Sequence, residues 1–194
     1  MRTYREIIVV DGFYNDPLAV REHALGMKYG VKGNYPGKRT EPLLEGGSKE
    51  HLEYILDIKI NNTDWNLGEY TGTYQYVTKD TPTWVHSDRH TDWSCLIYLS
   101  PDPPHNSGTS FYKHKKTGSR MYSDNDGATI EEDGNDYSKW TREDVVSNVF
   151  NRALIFKGQM WHAADDYFGT DLKTGRLFQT FFFNEVVFNK GILL

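Results

Sequence analysis

The sequence predicts an α+β domain, mainly β, in which N-terminal helices pack on a β core. Three observations carry this. Aromatic residues are abundant, with 13 Tyr, 10 Phe and 5 Trp, and aromatic and β-branched residues favour strands. Helical patterning is confined to the region before about residue 60. Beyond about residue 70 the chain turns to short apolar runs bounded by Gly, Pro, Asn and Asp, as in a sandwich or barrel of many short strands. Helices first and strands afterwards is the order of an α+β domain.

The elements follow in order. Residues 6–10 (EIIVV) read as a short strand. Asp16 is a good helix N-cap and Pro17 suits the first helical position, so a helix is expected over 17–27. Residues 30–47 are rich in Gly and Pro and form a loop, with Tyr35-Pro36-Gly37-Lys38-Arg39 at its centre. Leu52, Ile55, Leu56 and Ile58 predict a second helix over 49–58. Strands are expected at 71–78, 84–88, 93–99, 109–113, 150–156 and 161–164, with a long terminal strand over 176–187. The segment 123–137 is acidic and lacks apolar periodicity, which reads as a solvated insertion; a lid is its functional alternative.

Composition narrows the functional classes. At 194 residues the chain has the length of one domain. It divides into an N-terminal strand and helices over 1–69 and a β core over 70–188. A formal net charge of −5 argues against nucleic acid as an obligate partner. The one cysteine, Cys95, excludes an intramolecular disulfide and a multi-thiolate zinc site. With an opening that lacks the pattern of a signal peptide and no run of membrane-spanning length, this predicts a cytoplasmic, reducing setting. The Asn61-Asn62-Thr63 sequon reads as chance in that setting. Composition is silent on oligomeric state.

The chemistry-bearing pattern is His86-Ser87-Asp88, with His162 far downstream. Two histidines and one carboxylate hold non-haem iron(II) while leaving coordination positions open. In an extended segment residues i and i+2 share a face, so His86 and Asp88 reach one metal and His162 arrives from another strand. Arg176, opening the last strand, offers a fork that holds a carboxylate through two parallel hydrogen bonds. The rival pair His86 and His90 needs a helix, which Pro82, Thr83 and Val85 disfavour. His90 and His105 read as loop residues, His114 as a solvated strand end, and His23 and His51 as structural.

These residues carry a family resemblance. The segments Trp84-Val85-His86-Ser87-Asp88, Leu96-Ile97-Tyr98-Leu99, Ser107-Gly108-Thr109-Ser110-Phe111-Tyr112, Asn151-Arg152-Ala153-Leu154-Ile155-Phe156, His162 and the run 175–183 resemble the 2-oxoglutarate- and iron(II)-dependent oxygenases of the prolyl-4-hydroxylase-like group. Within that group the chain resembles small members known from bacteria and phages. The resemblance covers about residues 70–187, with the opening segment and the YPGKR loop.

It implies a double-stranded β-helix, or jelly roll, with N-terminal helices packed on it. It implies iron(II) held by His86, Asp88 and His162, with 2-oxoglutarate and O2 as cosubstrates. It implies Arg176 on the distal carboxylate of 2-oxoglutarate, helped by Tyr76 or Tyr74. The family often has a small hydroxyl residue two positions after the arginine; Phe178 stands there, and Thr180 is the nearest substitute. The implied reaction hydroxylates a peptidyl side chain or small molecule and releases succinate and CO2. The other readings are a catalytically silent metal-binding jelly roll and a cupin-like enzyme with another cosubstrate. The YPGKR loop and the 123–137 segment are the expected sites of substrate contact.

Overall fold

The computed structural model describes residues 6–31, 33, 35–44, 46–67 and 70–186. β1 (Ile7–Asp11) is followed by α1 (Pro17–Gly26). The Asp16 side chain accepts a hydrogen bond from the Ala19 amide at 3.0 Å, satisfying a donor that the first helical turn leaves free. β2 (Lys38–Arg39) is a two-residue strand in the middle of the Gly- and Pro-rich segment 30–47. α2 (Ser48–Leu56) stops where Asp57 turns left-handed at φ 56°. α3 (Asn62–Leu67) escapes periodicity because it is so short. Asn61 Oδ1 accepts from the Thr63 amide at 2.9 Å, so the sequon residues act here as a helix cap.

The strands that follow are β3 (Thr73–Val77), β4 (Trp93–Tyr98), β5 (Thr109–His114), β6 (Trp140–Val146), β7 (Arg152–Lys157), β8 (His162–Ala164) and β9 (Arg176–Phe183). They form two antiparallel sheets, one in the order β1–β7–β4–β9–β3–β2 and one in the order β6–β5–β8. The fold is mainly β with few helices. β6 was not anticipated because its middle five residues are exposed and carry little apolar signal. The segment at 84–88 is not a strand; it is extended and joins β8 through one bridge, His86 to His162. Residues 187 and 188 of the expected terminal strand and core lie outside the described residues.

The large sheet is buried on both faces, so its strands read as nearly continuous apolar runs. Alternation sorts the two faces. Trp93, Cys95, Ile97, Ala153, Ile155, Phe181 and Phe183 pack with Leu52 of α2 and Trp65 of α3. Tyr74, Leu99 and Leu177 pack with Ala24 of α1. On the other face, Tyr98, Leu154 and Phe156 meet Phe111 of β5 and Met160. One face of the sheet therefore seats the helices, and the opposite face meets the small sheet.

The acidic 123–137 segment is not a loose insertion. It contains α4 (Gly127–Glu131), whose Ile130 is buried with Val85, Trp140 and Trp161. The Gly134 carbonyl accepts from the Val85 amide at 2.9 Å, one residue before His86. The Asp133 carbonyl accepts from Trp140 Nε1 at 3.0 Å. His114 departs from expectation with it: the side chain is buried, its Nε2 3.1 Å from Asp133 Oδ2 and its Nδ1 3.0 Å from Thr117 Oγ1. A composition poor in apolar residues concealed a segment held by polar and backbone contacts.

Candidate metal centre

His86 and His162 meet through reciprocal backbone hydrogen bonds, each amide donating to the other's carbonyl at 2.9 Å. Asp88 is fixed two residues along, its amide donating to the Gly158 carbonyl at 2.7 Å. One side-chain donor atom from each of His86, Asp88 and His162 lies within 4.8 Å of the others. The His86 and His162 rings are 4.3 Å apart between centroids. The two histidines are thus placed by the main chain, and the aspartate by a turn that folds back on Gly158.

The protonation pattern suits a cation. His86 Nδ1 lies 3.0 Å from the Trp84 carbonyl and His162 Nδ1 lies 2.9 Å from the Met160 carbonyl. A carbonyl only accepts, so in each neutral ring Nδ1 carries the proton and Nε2 presents a lone pair. Burial, with His86 alongside, holds the His162 imidazole down at about 4 despite the opposing pull of Asp88, so it is neutral near pH 7. His162 Nε2 then faces Asp88 Oδ2 at 3.6 Å, lone pair against carboxylate. A bound cation satisfies both. The second Asp88 contact is the Ser94 hydroxyl, donating to Oδ2 at 2.7 Å; fixing a ligand from behind in this way supports a metal site.

Gly158 is a positioning residue for Asp88. A Cβ there would lie 2.4 Å from the Thr91 carbonyl oxygen and 2.8 Å from that of Asp88, so the backbone of the 88–91 turn must move. Gly158→Ala should weaken cation binding on the order of 10-fold, as loss of an orienting contact does. A metal titration of the variant, with circular dichroism to confirm folding, checks this; unchanged affinity would remove Gly158 from the site.

Arg176 begins β9 on the face that meets the small sheet. It is 2 % exposed. Its Nη2 donates to Thr109 Oγ1 at 3.0 Å, and its Nε is buried with no hydrogen-bond partner among the described residues. The guanidinium carbon lies 5.4 Å from the Tyr98 ring centroid, 5.6 Å from that of Tyr167 and 5.2 Å from that of Phe178. Among the described residues no carboxylate pairs with it. A buried, permanently charged group without a counter-ion is costly, and a bound anion removes that cost. Thr109 and Ala164 are partners across β5 and β8, one pleat from the Phe111 and His162 pair. Arg176 therefore sits about one pleat, roughly 7 Å, along the small sheet from the His162 position.

Tyr74 and Tyr76 are not brought to this region. They pair across β3 and β9 with Gln179 and Leu177, and pack on the helix-facing side around Ala24. Strand alternation sends Thr73, Gln75 and Val77 to the side of Arg176 instead. Thr180 shares the face of Arg176, but its hydroxyl is 2.9 Å from Thr73 Oγ1 and donates to the Tyr70 carbonyl at 3.1 Å. The hydroxyl at Arg176 comes from Thr109. Tyr98, 2.9 Å from Thr109 Oγ1 through its own hydroxyl, is the tyrosine at the arginine. Both lie within the segments that carry the family resemblance, and the inward parity of Tyr98 in Leu96-Ile97-Tyr98-Leu99 was the available signal.

A cavity of about 700 Å³ opens beside His86 and Asp88 and is lined also by Tyr35, Arg39, Tyr70 and Phe182. Glu131 of α4, ion-paired with Arg89, forms part of the same lining, so the acidic segment does reach the site. Burial pulls the Arg39 guanidinium down to about 10, with Asp88 opposing the shift; it remains charged near pH 7.

The model of family DUF6445, described as a family of unknown function, matches residues 1–183. The chain belongs to the DUF6445 family. No curated protein matches it. Among solved structures, this DUF6445 chain is similar to HygX from Streptomyces hygroscopicus, determined with nickel and 2-oxoglutarate bound. The TM-score is 0.53 at 12% identity, covering 90% of this chain and 81% of HygX. It is also similar to SnoK, a non-haem α-ketoglutarate-dependent carbocyclase from nogalamycin biosynthesis. There the TM-score is 0.51 at 14% identity, covering 92% of this chain and 80% of SnoK. A prolyl-4-hydroxylase from Pseudomonas putida matches at TM-score 0.48 and 12% identity, over 92% of each chain. The DUF6445 chain thus has the fold of 2-oxoglutarate-dependent oxygenases. No helix among its described residues is long and apolar enough to cross a membrane.

Proposed function

We propose that this DUF6445 chain is an iron(II)- and 2-oxoglutarate-dependent oxygenase. The observation that carries the reading is the convergence of His86, Asp88 and His162, one ligand atom of each within 4.8 Å of the others and each imidazole Nδ1 taken up by a backbone carbonyl. In this reading the two sheets are the walls of a jelly roll centred on 70–188, the segment 1–69 adds β1 and β2 to the large sheet and packs its helices on it, and 1–194 is one domain. Iron(II) bound there supplies activation of O2 coupled to oxidative decarboxylation of 2-oxoglutarate to succinate and CO2, with hydroxylation of a peptidyl side chain or small molecule.

The protein's own part is orientation and electrostatics. His86 and His162 each keep a ligand nitrogen free because a backbone carbonyl holds the other nitrogen's proton. Ser94 donates to Asp88 and fixes its carboxylate. Arg176 binds the distal carboxylate of 2-oxoglutarate, with Nε available as a donor. Tyr98 and Thr109 orient the guanidinium, and burial excludes water that would compete for it. Phe178, where a small hydroxyl is common in the family, stacks beside the guanidinium, so recognition rests on Thr109 and Tyr98 in place of Thr180. Tyr74 and Tyr76 have no part in it.

Anaerobic addition of iron(II) and then 2-oxoglutarate tests the reading. A weak visible charge-transfer band of the chelate is expected. A folded protein that binds iron(II) and never shows the band would be a metal-binding module without oxygenase chemistry.

A further inference from the structure

Arg39 is a second buried arginine, 7 % exposed, and it lines the cavity that also contains His86 and Asp88. Its position is rigid. β2 pairs Arg39 with Gln75 of β3, and Arg39 Nε donates to Gln75 Oε1 at 2.6 Å. Gln75 Nε2 donates in turn to the Pro36 carbonyl at 2.6 Å. The guanidinium carbon lies 4.0 Å from the Tyr35 ring centroid, 4.7 Å from that of Tyr70 and 5.7 Å from that of Phe182. Such stacking fixes the plane of the cation without neutralising it. Neither Nη atom has a hydrogen-bond partner among the described residues.

Of the other charges of the lining, Asp88 is held by the Ser94 hydroxyl and turned to His162, and three more are engaged. Arg89 pairs with Glu131, and Asp64 accepts from Asn184 Nδ2 at 3.0 Å. Arg39 is thus a preset cation with its two terminal nitrogens uncommitted, flanked by aromatic rings, on the cavity wall shared with the metal ligands. Arg176 does not line this cavity.

We propose that Arg39 anchors a carboxylate on the primary substrate, whose aromatic or aliphatic body lies against Tyr35, Tyr70 and Phe182 with its reacting carbon toward His86 and Asp88. This rests on the oxygenase reading. A single cation near the carboxylates of Asp88 and Glu131 matches a monoanion, and the two Nη atoms match the two oxygens of a carboxylate. A phosphate dianion would leave a charge unmatched in a site of low dielectric. The carboxylate belongs to a free organic or amino acid or to the C-terminus of a peptide; the chemistry of recognition is the same.

The test uses the full chain without metal and reads its tryptophan fluorescence, Trp84 being in the cavity lining. One probe pair is N-benzoylglycine and its amide; the other is the peptide Gly-Gly-Gly-Gly-Phe as free acid and as C-terminal amide. At least one acid should bind about 10-fold or more tighter than its amide, the cost of leaving a buried charge unpaired. The pair that shows the preference identifies the source. Arg39→Gln should abolish the preference, Arg39→Lys should keep part of it, and Arg176→Met should leave it unchanged. Equal binding of acid and amide, a preference that survives Arg39→Gln, or one lost with Arg176→Met would overturn the proposal. So would failure of both acids to bind below about 10 mM. The oxygenase reading fails separately, through the chelate band of the wild-type protein, which this measurement does not use.

Discussion

Replacing His86 with alanine should abolish metal binding and 2-oxoglutarate turnover while leaving both sheets intact. The bonds that join His86 to His162 are main-chain bonds at 2.9 Å, and alanine makes them equally well. What is lost is one of three ligands. Metal affinity should therefore fall by more than the roughly 10–100-fold that follows loss of an orienting partner. Asp88→Asn sharpens the test through an opposite sign. The carboxylate faces the His162 Nε2 lone pair at 3.6 Å, an arrangement without benefit until a cation bridges it. An amide can donate to that nitrogen. The metal-free Asp88→Asn protein should be at least as stable as the wild type to heat and yet fail to bind the ion. A thermal melt with and without added metal reads both effects. Metal-induced stabilisation that survives in either variant would remove these residues as ligands.

Replacing Arg176 with methionine should raise the requirement for 2-oxoglutarate on the order of 100-fold without weakening the protein that lacks it. The first effect follows from the charge-paired contact, since losing one partner of a desolvated pair costs about 2–5 kcal/mol. The second follows from the state of Arg176 in the structure. It is 2 % exposed, its Nε has no partner, and it has one hydrogen bond, to Thr109. An apolar side chain of similar length packs against Tyr98, Tyr167 and Phe178 without that desolvation cost. Arg176→Lys, with charge but no fork, should fall between. A titration of 2-oxoglutarate against the chelate band, paired with thermal melts, measures the two effects together. A variant that binds 2-oxoglutarate normally would exclude Arg176 from the pocket, and a large loss of stability would show that it serves the core instead.

The convergence of His86, Asp88 and His162 was legible because it needs only local rules. His86 and Asp88 are two residues apart in extended chain, and His162 begins a strand bounded by a turn. Arg176 was legible for a similar reason, as the charged residue at the head of an apolar strand. Tyr74 and Tyr76 misled because β3 is buried on both faces. Its aromatic residues lie under α1, while Thr73 and Gln75 face inward. Arg39 lay in the loop singled out for substrate contact, but its role emerged only from Tyr35, Tyr70 and Phe182, which are distant from one another in sequence. β6 was invisible for the complementary reason: an exposed edge strand has no core-facing run to betray it.

The 123–137 segment invites removal by anyone shortening this protein, since it is acidic, poor in apolar residues and set between two strands. Its Gly134 carbonyl nevertheless accepts the Val85 amide, Ile130 fills the space beneath Trp161, and Glu131 steadies Arg89 at the cavity rim. The stretch of chain leading to His86 is no strand, and beside that support it is held by the Thr83 hydroxyl on the Ala164 carbonyl and by buried Val85. Deleting the segment would shorten the polypeptide and loosen the footing of a proposed metal ligand in the same operation.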